Sequence, residues 1–120
     1  MSLLWVADSF YVGSRDVVAA TSWYMEKFGL KKTDVELDEG EGCVGLIFPK
    51  ELPTPIVIGP RTSRADAATR MLYTGDIEKA RKLLGSRAVS MGPIQTDRQG
   101  THYFAVQDLD GNAIEISEEP

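Results

Sequence analysis

Asp108-Leu109-Asp110-Gly111-Asn112-Ala113-Ile114-Glu115-Ile116 joins two alternating segments and decides how the C-terminal half of the chain is read. Leu109-Asp110-Gly111-Asn112 has the composition of a tight turn, because glycine tolerates positive φ while Asp and Asn hydrogen-bond their own backbone. The flanking segments, Thr101 to Gln107 and Ala113 to Ser117, alternate apolar and polar residues and predict two strands. Within the second, Ile114 and Ile116 face one way while Ala113, Glu115 and Ser117 face the other.

Working outward, Ala88 to Met91 reads as another strand, and Thr69 to Thr74 as a strand preceding a capping aspartate, Asp76. Ile77, Ala80, Leu83 and Leu84 then recur at helical spacing, with Gly85 as the stop. The order is β-α-β-β-β, and the N-terminal half repeats it. Asp8 to Val12 sets Ser9 and Tyr11 against Phe10 and Val12 and ends in the turn Gly13-Ser14-Arg15. Asp16 caps a helix carrying Val17, Ala20, Tyr24 and Phe28, with Trp23 beside them, and Gly29 ends it. Leu30 to Leu37, Cys43 to Phe48 and Pro55 to Ile58 follow as a strand meander, separated by Asp38 to Gly42 and Pro49 to Pro53. The expectation is one α+β domain of two tandem βαβββ modules, residues 1–60 and 61–120. Their curved mixed sheets would surround a cleft, with helices on the outer face.

At 120 residues the chain has the size of one compact domain. A net charge of −5 with no basic run disfavours nucleic acid and anionic membrane surfaces and favours attraction of cationic small molecules. The apolar stretch Met1 to Val6 lacks a basic leader and is cut short by Asp8, so neither a signal peptide nor a membrane span is expected, and the cytoplasm is the default location. The single cysteine, Cys43, cannot form an intrachain disulfide. Its neighbours Val44, Leu46 and Ile47 make it a buried structural thiol rather than a nucleophile.

The strand-Asp16-helix start with Trp23-Tyr24 before Gly29, its echo at Asp76 to Gly85, and the closing run from Asp108 to Ile116 together resemble the vicinal-oxygen-chelate superfamily of glyoxalases, bleomycin resistance proteins and extradiol dioxygenases. The resemblance spans nearly the whole chain. It implies, in metal-dependent members, a histidine starting each module's first strand and an acid in the last strand of one or both modules. Such donors suit a divalent ion that keeps positions open for substrate oxygens. Here the corresponding positions are Ser9 and Thr69, neutral hydroxyls, and the strand Pro55-Ile56-Val57-Ile58 is aliphatic. Glu115 alone survives, so neither a metal nor another cofactor is expected. Asp110 and Asn112 could recruit calcium or magnesium, yet turn conformation accounts for them better.

His102, the only histidine, shares strand parity with Phe104 and Val106 on the helix-covered side, which favours a structural or strand-end role. The opposite parity gathers Ser9, Tyr11, Thr69, Met71, Tyr73, Tyr103 and Glu115 as candidate ligand-binding residues, with Glu115 the candidate catalytic group. A packed inter-module core with an idle, hydrogen-bonded Glu115 is the bland alternative. Two functions compete. The first is a metal-free small-molecule-binding protein that sequesters a drug or metabolite, its aromatic rings stacking a flat or cationic ligand against the Glu115 charge. The second is a lyase, isomerase or dioxygenase-type enzyme using Glu115 as base or metal ligand. A noncatalytic interaction module is a third possibility. The resemblance also implies a homodimer.

Overall fold

The computed structural model describes residues 3–33, 42–49, 54–61 and 70–119. Each helix begins with the same three-residue device. Ser14 and Thr74 use their hydroxyl oxygens to accept the backbone N–H of Asp16 (3.0 Å) and Asp76 (3.2 Å), two residues on. Each aspartate then accepts an orphan N–H of the first turn, from Ala19 and Lys79 respectively, both at 3.1 Å. Helix α1 runs Val17–Phe28 and ends at Gly29, which adopts the left-handed conformation (φ 75°) that returns its N–H to the Met25 carbonyl. Helix α2 runs Ile77–Ser86, continuing past the expected stop at Gly85, and leaves through Arg87 and Ala88.

Two open sheets carry these helices. The four-stranded sheet has the order β2-β5-β4-β3, with β2 at Phe10–Ser14, β3 at Lys31–Lys32, β4 at Val44–Ile47 and β5 at Ile56–Pro60. Strands β2 and β5 are parallel and the other pairs antiparallel. The six-stranded sheet has the order β1-β6-β10-β9-β7, with β8 also on β9. Its members are β1 Leu4–Trp5, β6 Met71–Thr74, β7 Ser90–Met91, β8 Gln95–Thr96, β9 His102–Gln107 and β10 Ala113–Glu118. Strands β6 and β10 are parallel, so both sheets are mixed as expected.

The expected strands shift by one or two residues at most ends. The first strand starts at Phe10, leaving Ser9 just outside it, and the segment from Leu30 is regular only at Lys31–Lys32, its residues 34–37 lying outside the described residues. The expected strand from Thr69 is described from Met71 on. Two strands were unforeseen. β1 pairs with β6 through Leu4↔Thr74 and Trp5↔Tyr73, so an N-terminal segment completes the six-stranded sheet. β8 pairs with β9 through Gln95↔Tyr103 and Thr96↔His102.

Tyr24, Leu46, Ile56, Ile58, Leu72, Leu84, Phe104, Ile114 and Ile116 are fully buried in one continuous core that draws on both sheets and both helices. Polar clasps lock the two halves across that core. The 108–112 turn is more than a hairpin: Asp108 accepts the backbone N–H groups of Asp110 (2.9 Å) and Asn112 (2.8 Å) at Oδ1. Its Oδ2 accepts Asn112 Nδ2 (2.9 Å) and the Tyr24 hydroxyl of α1 (2.5 Å). Asn112 also donates to the Gly13 carbonyl (2.9 Å), and Asp110 accepts the Arg15 N–H (3.2 Å). Burial first, and then the Asp108 charge, push the Tyr24 hydroxyl far above the ordinary tyrosine range and keep it a donor. At the other end, Lys27 Nζ donates to the Arg87 carbonyl (2.6 Å) while Arg87 donates back to the Lys27 carbonyl (2.8 Å), so each helix end supplies a cation to the other's carbonyls.

Candidate functional site

Strand register places the candidate side chains on the face of the six-stranded sheet opposite α2. Directly opposed residues share a face. One row across the sheet therefore reads Trp5, Tyr73, Ser117, Tyr103, Gln95. The adjacent row reads Met71, Glu115, Ala105. Trp5, Met71, Tyr73, Tyr103 and Glu115 are half-buried, while Ala105, Gln107 and Ala113 are exposed. The alternate residues Leu72, Phe104, Val106, Ile114 and Ile116 are 0 % exposed beneath the helices. Within the chain this face is less covered than the opposite one, since Ala105, in the middle of an interior strand, is exposed.

Tyr103 and Gln95 are linked: the tyrosine hydroxyl donates to Gln95 Oε1 at 3.3 Å, from β9 to β8. Glu115 has its backbone N–H on the Arg70 carbonyl (2.9 Å), which holds the start of β10 against β6. Of the expected site residues, the register brings Met71, Tyr73, Tyr103 and Glu115 onto this one surface. Tyr11 belongs to the other sheet, and Ser9 lies just before its strand. Ser9 Oγ donates to the Pro55 carbonyl (2.5 Å), and the Tyr11 hydroxyl donates to the Pro60 carbonyl (2.6 Å). The Tyr11 ring lies over Gly59, where any Cβ would collide with its hydroxyl and with the Cys43 sulfur. Cys43 itself is half-buried. Thr69 lies outside the described residues.

Trp5 and Gln95 are the members of this surface that sequence reasoning missed. In sequence the apolar stretch Met1 to Val6 reads only against a leader or membrane span, and a two-residue strand is too short to show periodicity. Ser117 shares the strand parity of Glu115 and lies in register between Tyr73 and Tyr103.

The donor set does not fit the divalent ion that metal-dependent proteins of this fold would hold. Ser9 Oγ is engaged with a carbonyl, β5 offers aliphatic side chains on both faces, and Glu115 is flanked in register by Met71 and Ala105. Among the described residues no three His, Cys, Asp or Glu side chains converge on a possible metal position. His102 sits exposed at the strand end, its Nδ1 paired with Thr96 Oγ1 at 2.9 Å. Most donors of the Asp108-x-Asp110-x-Asn112 spacing are engaged within the protein, and Asp110 Oδ2 is buried without a hydrogen-bond partner among the described residues. Asp108 turns both oxygens toward N–H and O–H donors, and Asp110 Oδ1 faces the Arg15 N–H and, at 3.8 Å, its Nε. No described helix is long and apolar enough to cross a membrane.

A family model described as Glyoxalase/Bleomycin resistance protein/Dioxygenase superfamily matches residues 4–116. Comparison with curated proteins returned no match. Among solved structures, a member of that superfamily from Sphaerobacter thermophilus DSM 20745 is 25 % identical with a TM-score of 0.75, over 95 % of this chain and 97 % of its own. TnmS3, an antibiotic binding protein from Streptomyces sp. CB03234, is 19 % identical with a TM-score of 0.76, over 96 % of each chain. A bleomycin resistance determinant encoded on the transposon Tn5 is 14 % identical with a TM-score of 0.72, over 95 % of this chain and 98 % of its own.

Proposed function

The chain belongs to the glyoxalase/bleomycin resistance protein/dioxygenase superfamily, and from that premise we propose that it binds and sequesters a small organic molecule, a drug or metabolite, without a metal ion. The observation that carries the reading is the open face around Glu115. An exposed Ala105 lies opposite the carboxylate in register, and the neighbouring row supplies Tyr73 and Tyr103. A half-buried acid among aromatic and soft apolar groups suits a ligand with apolar bulk and one cationic group. The net charge of −5 draws such a ligand in at low ionic strength. The antibiotic-binding description of TnmS3 and the resistance role of the Tn5 determinant support an organic ligand of drug size.

Met71, Tyr73, Tyr103 and Glu115 form the binding surface in this proposal. Tyr11 from the four-stranded sheet and Ser9 just before it belong to the proposed set, as does Thr69, and the division between modules falls at residues 60 and 61. The protein works in the cytoplasm as a homodimer, with neither nucleic acid nor membrane as partner. A lyase, isomerase or dioxygenase would need Glu115 to act with further acid, base or metal-ligating groups, and the register puts Met71 and Ala105 beside it instead. Calorimetric titration with cationic glycopeptides and planar dyes tests the proposal. A saturable heat that weakens in Glu115→Gln is expected, and the absence of saturable heat across the panel refutes it.

A further inference from the structure

Helix α2 runs against the charge of the chain that carries it. In a protein of net charge −5, it holds Lys79, Arg81 and Lys82 against the single acid Glu78. Arg81 is committed, its Nε and Nη2 donating to the Gly92 carbonyl at 3.3 and 3.2 Å. Lys79 and Lys82 are exposed and make no ion pair among the described residues, although Glu78 stands at the four-residue spacing that favours one with Lys82. Helix stability does not account for them either. Lys79 lies in the first turn, where the helix dipole disfavours a cation, and the last turn has no basic residue.

Leu83 is their apolar counterpart. Ile77, Ala80, Leu83 and Leu84 have the spacing of a core stripe, yet Leu83 alone of the four stays half-buried and outside the core cluster. Together with Leu3, from the segment before β1, it lines a groove of about 320 Å³ whose other walls are Lys79, Lys82 and Ser86. Three- and four-residue spacing sets the four α2 residues on one helix face, over about 10 Å from Lys79 to Ser86. Lysine stems are apolar, so they extend the groove while their ammonium groups stand at its rim. Size and charge then select the occupant. A specific protein partner uses about 20–30 residues a side, and five line this groove. Anionic membranes are held by clusters of about four to eight cations, and two lysines on an acidic protein fall short of that. The volume falls instead at the lower end of small-ligand sites, near about 300 Å³.

We propose that this groove binds a fatty acid, its acyl chain between Leu3 and Leu83 and its carboxylate between Lys79 and Lys82. The site lies on the α2 side of the six-stranded sheet, away from Glu115, and takes a ligand of the opposite charge, so it goes beyond the binding reading of the other face.

Octanoate, decanoate and decylammonium, titrated calorimetrically below their micelle concentrations, test the assignment. Decanoate is expected to saturate at one site per chain, about tenfold more tightly than octanoate because two further methylene groups are buried. Decylammonium has the same tail and the wrong charge, and should bind at least about tenfold more weakly than decanoate. The double variant Lys79→Gln, Lys82→Gln should weaken decanoate binding about tenfold and flatten its salt dependence, and Leu83→Gln should weaken it to a similar degree. Both lysines are exposed, so the double variant keeps the test open if Leu83→Gln does not fold. Unchanged decanoate affinity in the double variant, or decylammonium binding as tightly as decanoate, overturns the site. Decanoate heat without saturation overturns it too, and adsorption to phosphatidylglycerol vesicles in that case would assign the lysines to a lipid surface. None of these results bears on the surface around Glu115, whose probes are cations.

Discussion

Replacing Tyr24 by phenylalanine isolates one bond of the clasp between α1 and the 108–112 turn. The Tyr24 ring is 0 % exposed and stays packed against Trp23 and Phe28, with ring centroids 5.1 and 5.5 Å away, so Phe preserves the apolar contacts and deletes only the hydroxyl. That hydroxyl donates to Asp108 Oδ2 at 2.5 Å in a buried setting. Hydrogen bonds to charged groups contribute about 1.5–3 kcal/mol. Asp108 keeps three other donors, the backbone N–H groups of Asp110 and Asn112 and the Asn112 side-chain amide. The carboxylate is therefore not orphaned, and the expected loss sits near the lower half of that range, about 2 kcal/mol. For a chain of this length that lowers the unfolding midpoint by roughly 8 °C. Urea unfolding followed by circular dichroism measures it, and a cycle with Asp108→Asn assigns it. If the bond is responsible, Tyr24→Phe is nearly silent in the Asp108→Asn background, leaving a coupling of about 1.5 kcal/mol. A single-mutant loss under about 0.5 kcal/mol, or additive losses, would refute the clasp.

Further outcomes follow from the same geometry. Because the Tyr24 hydroxyl titrates far higher in the folded protein than its ordinary value near 10, its contribution is fully present below pH 10 and is lost as pH rises beyond it, at up to about 1.4 kcal/mol per pH unit. Alkaline unfolding of the native protein should therefore be steeper than that of Tyr24→Phe, and parallel curves would contradict the assignment. Gly111→Ala should destabilise by only about 1 kcal/mol, from its positive φ (82°), since an added Cβ meets nothing within 4 Å; a loss several times larger in thermal melts would point to a hidden contact. Gly59→Ala, by contrast, must displace Tyr11 and Cys43, so a larger loss together with altered tyrosine fluorescence is expected, and silence there would be inconsistent with the ring lying over Gly59. Light scattering should return twice the 13.2 kDa chain mass if the protein is a homodimer, and a monomer mass at tens of micromolar would exclude a stable one.

What could be read in advance was local. Asp16 and Asp76 announce helices because an N-cap acts within three residues, and Gly29 announces a stop for the same reason. Strand parity placed Met71, Tyr73, Tyr103 and Glu115 on one face because period two survives small errors in strand ends. The unread parts depend on partners far along the chain. Trp5 joins the site only because β1 pairs with Tyr73 and Thr74, and a two-residue strand has no pattern of its own. Asp108 and Asn112 look like turn residues in sequence, and the turn is real. Their reach to Tyr24 and Gly13 spans 84 and 99 residues, which turn chemistry cannot reveal.

Whether the ligand binds without a metal ion is decided by titration in a chelator. Protein dialysed against EDTA, with its residual zinc, iron, nickel and manganese measured by elemental analysis, is titrated calorimetrically with a planar cation and a cationic glycopeptide. The account predicts saturable binding whose affinity is the same before and after chelation and falls in Glu115→Gln. Binding that disappears on chelation and returns with a stoichiometric divalent ion would contradict it.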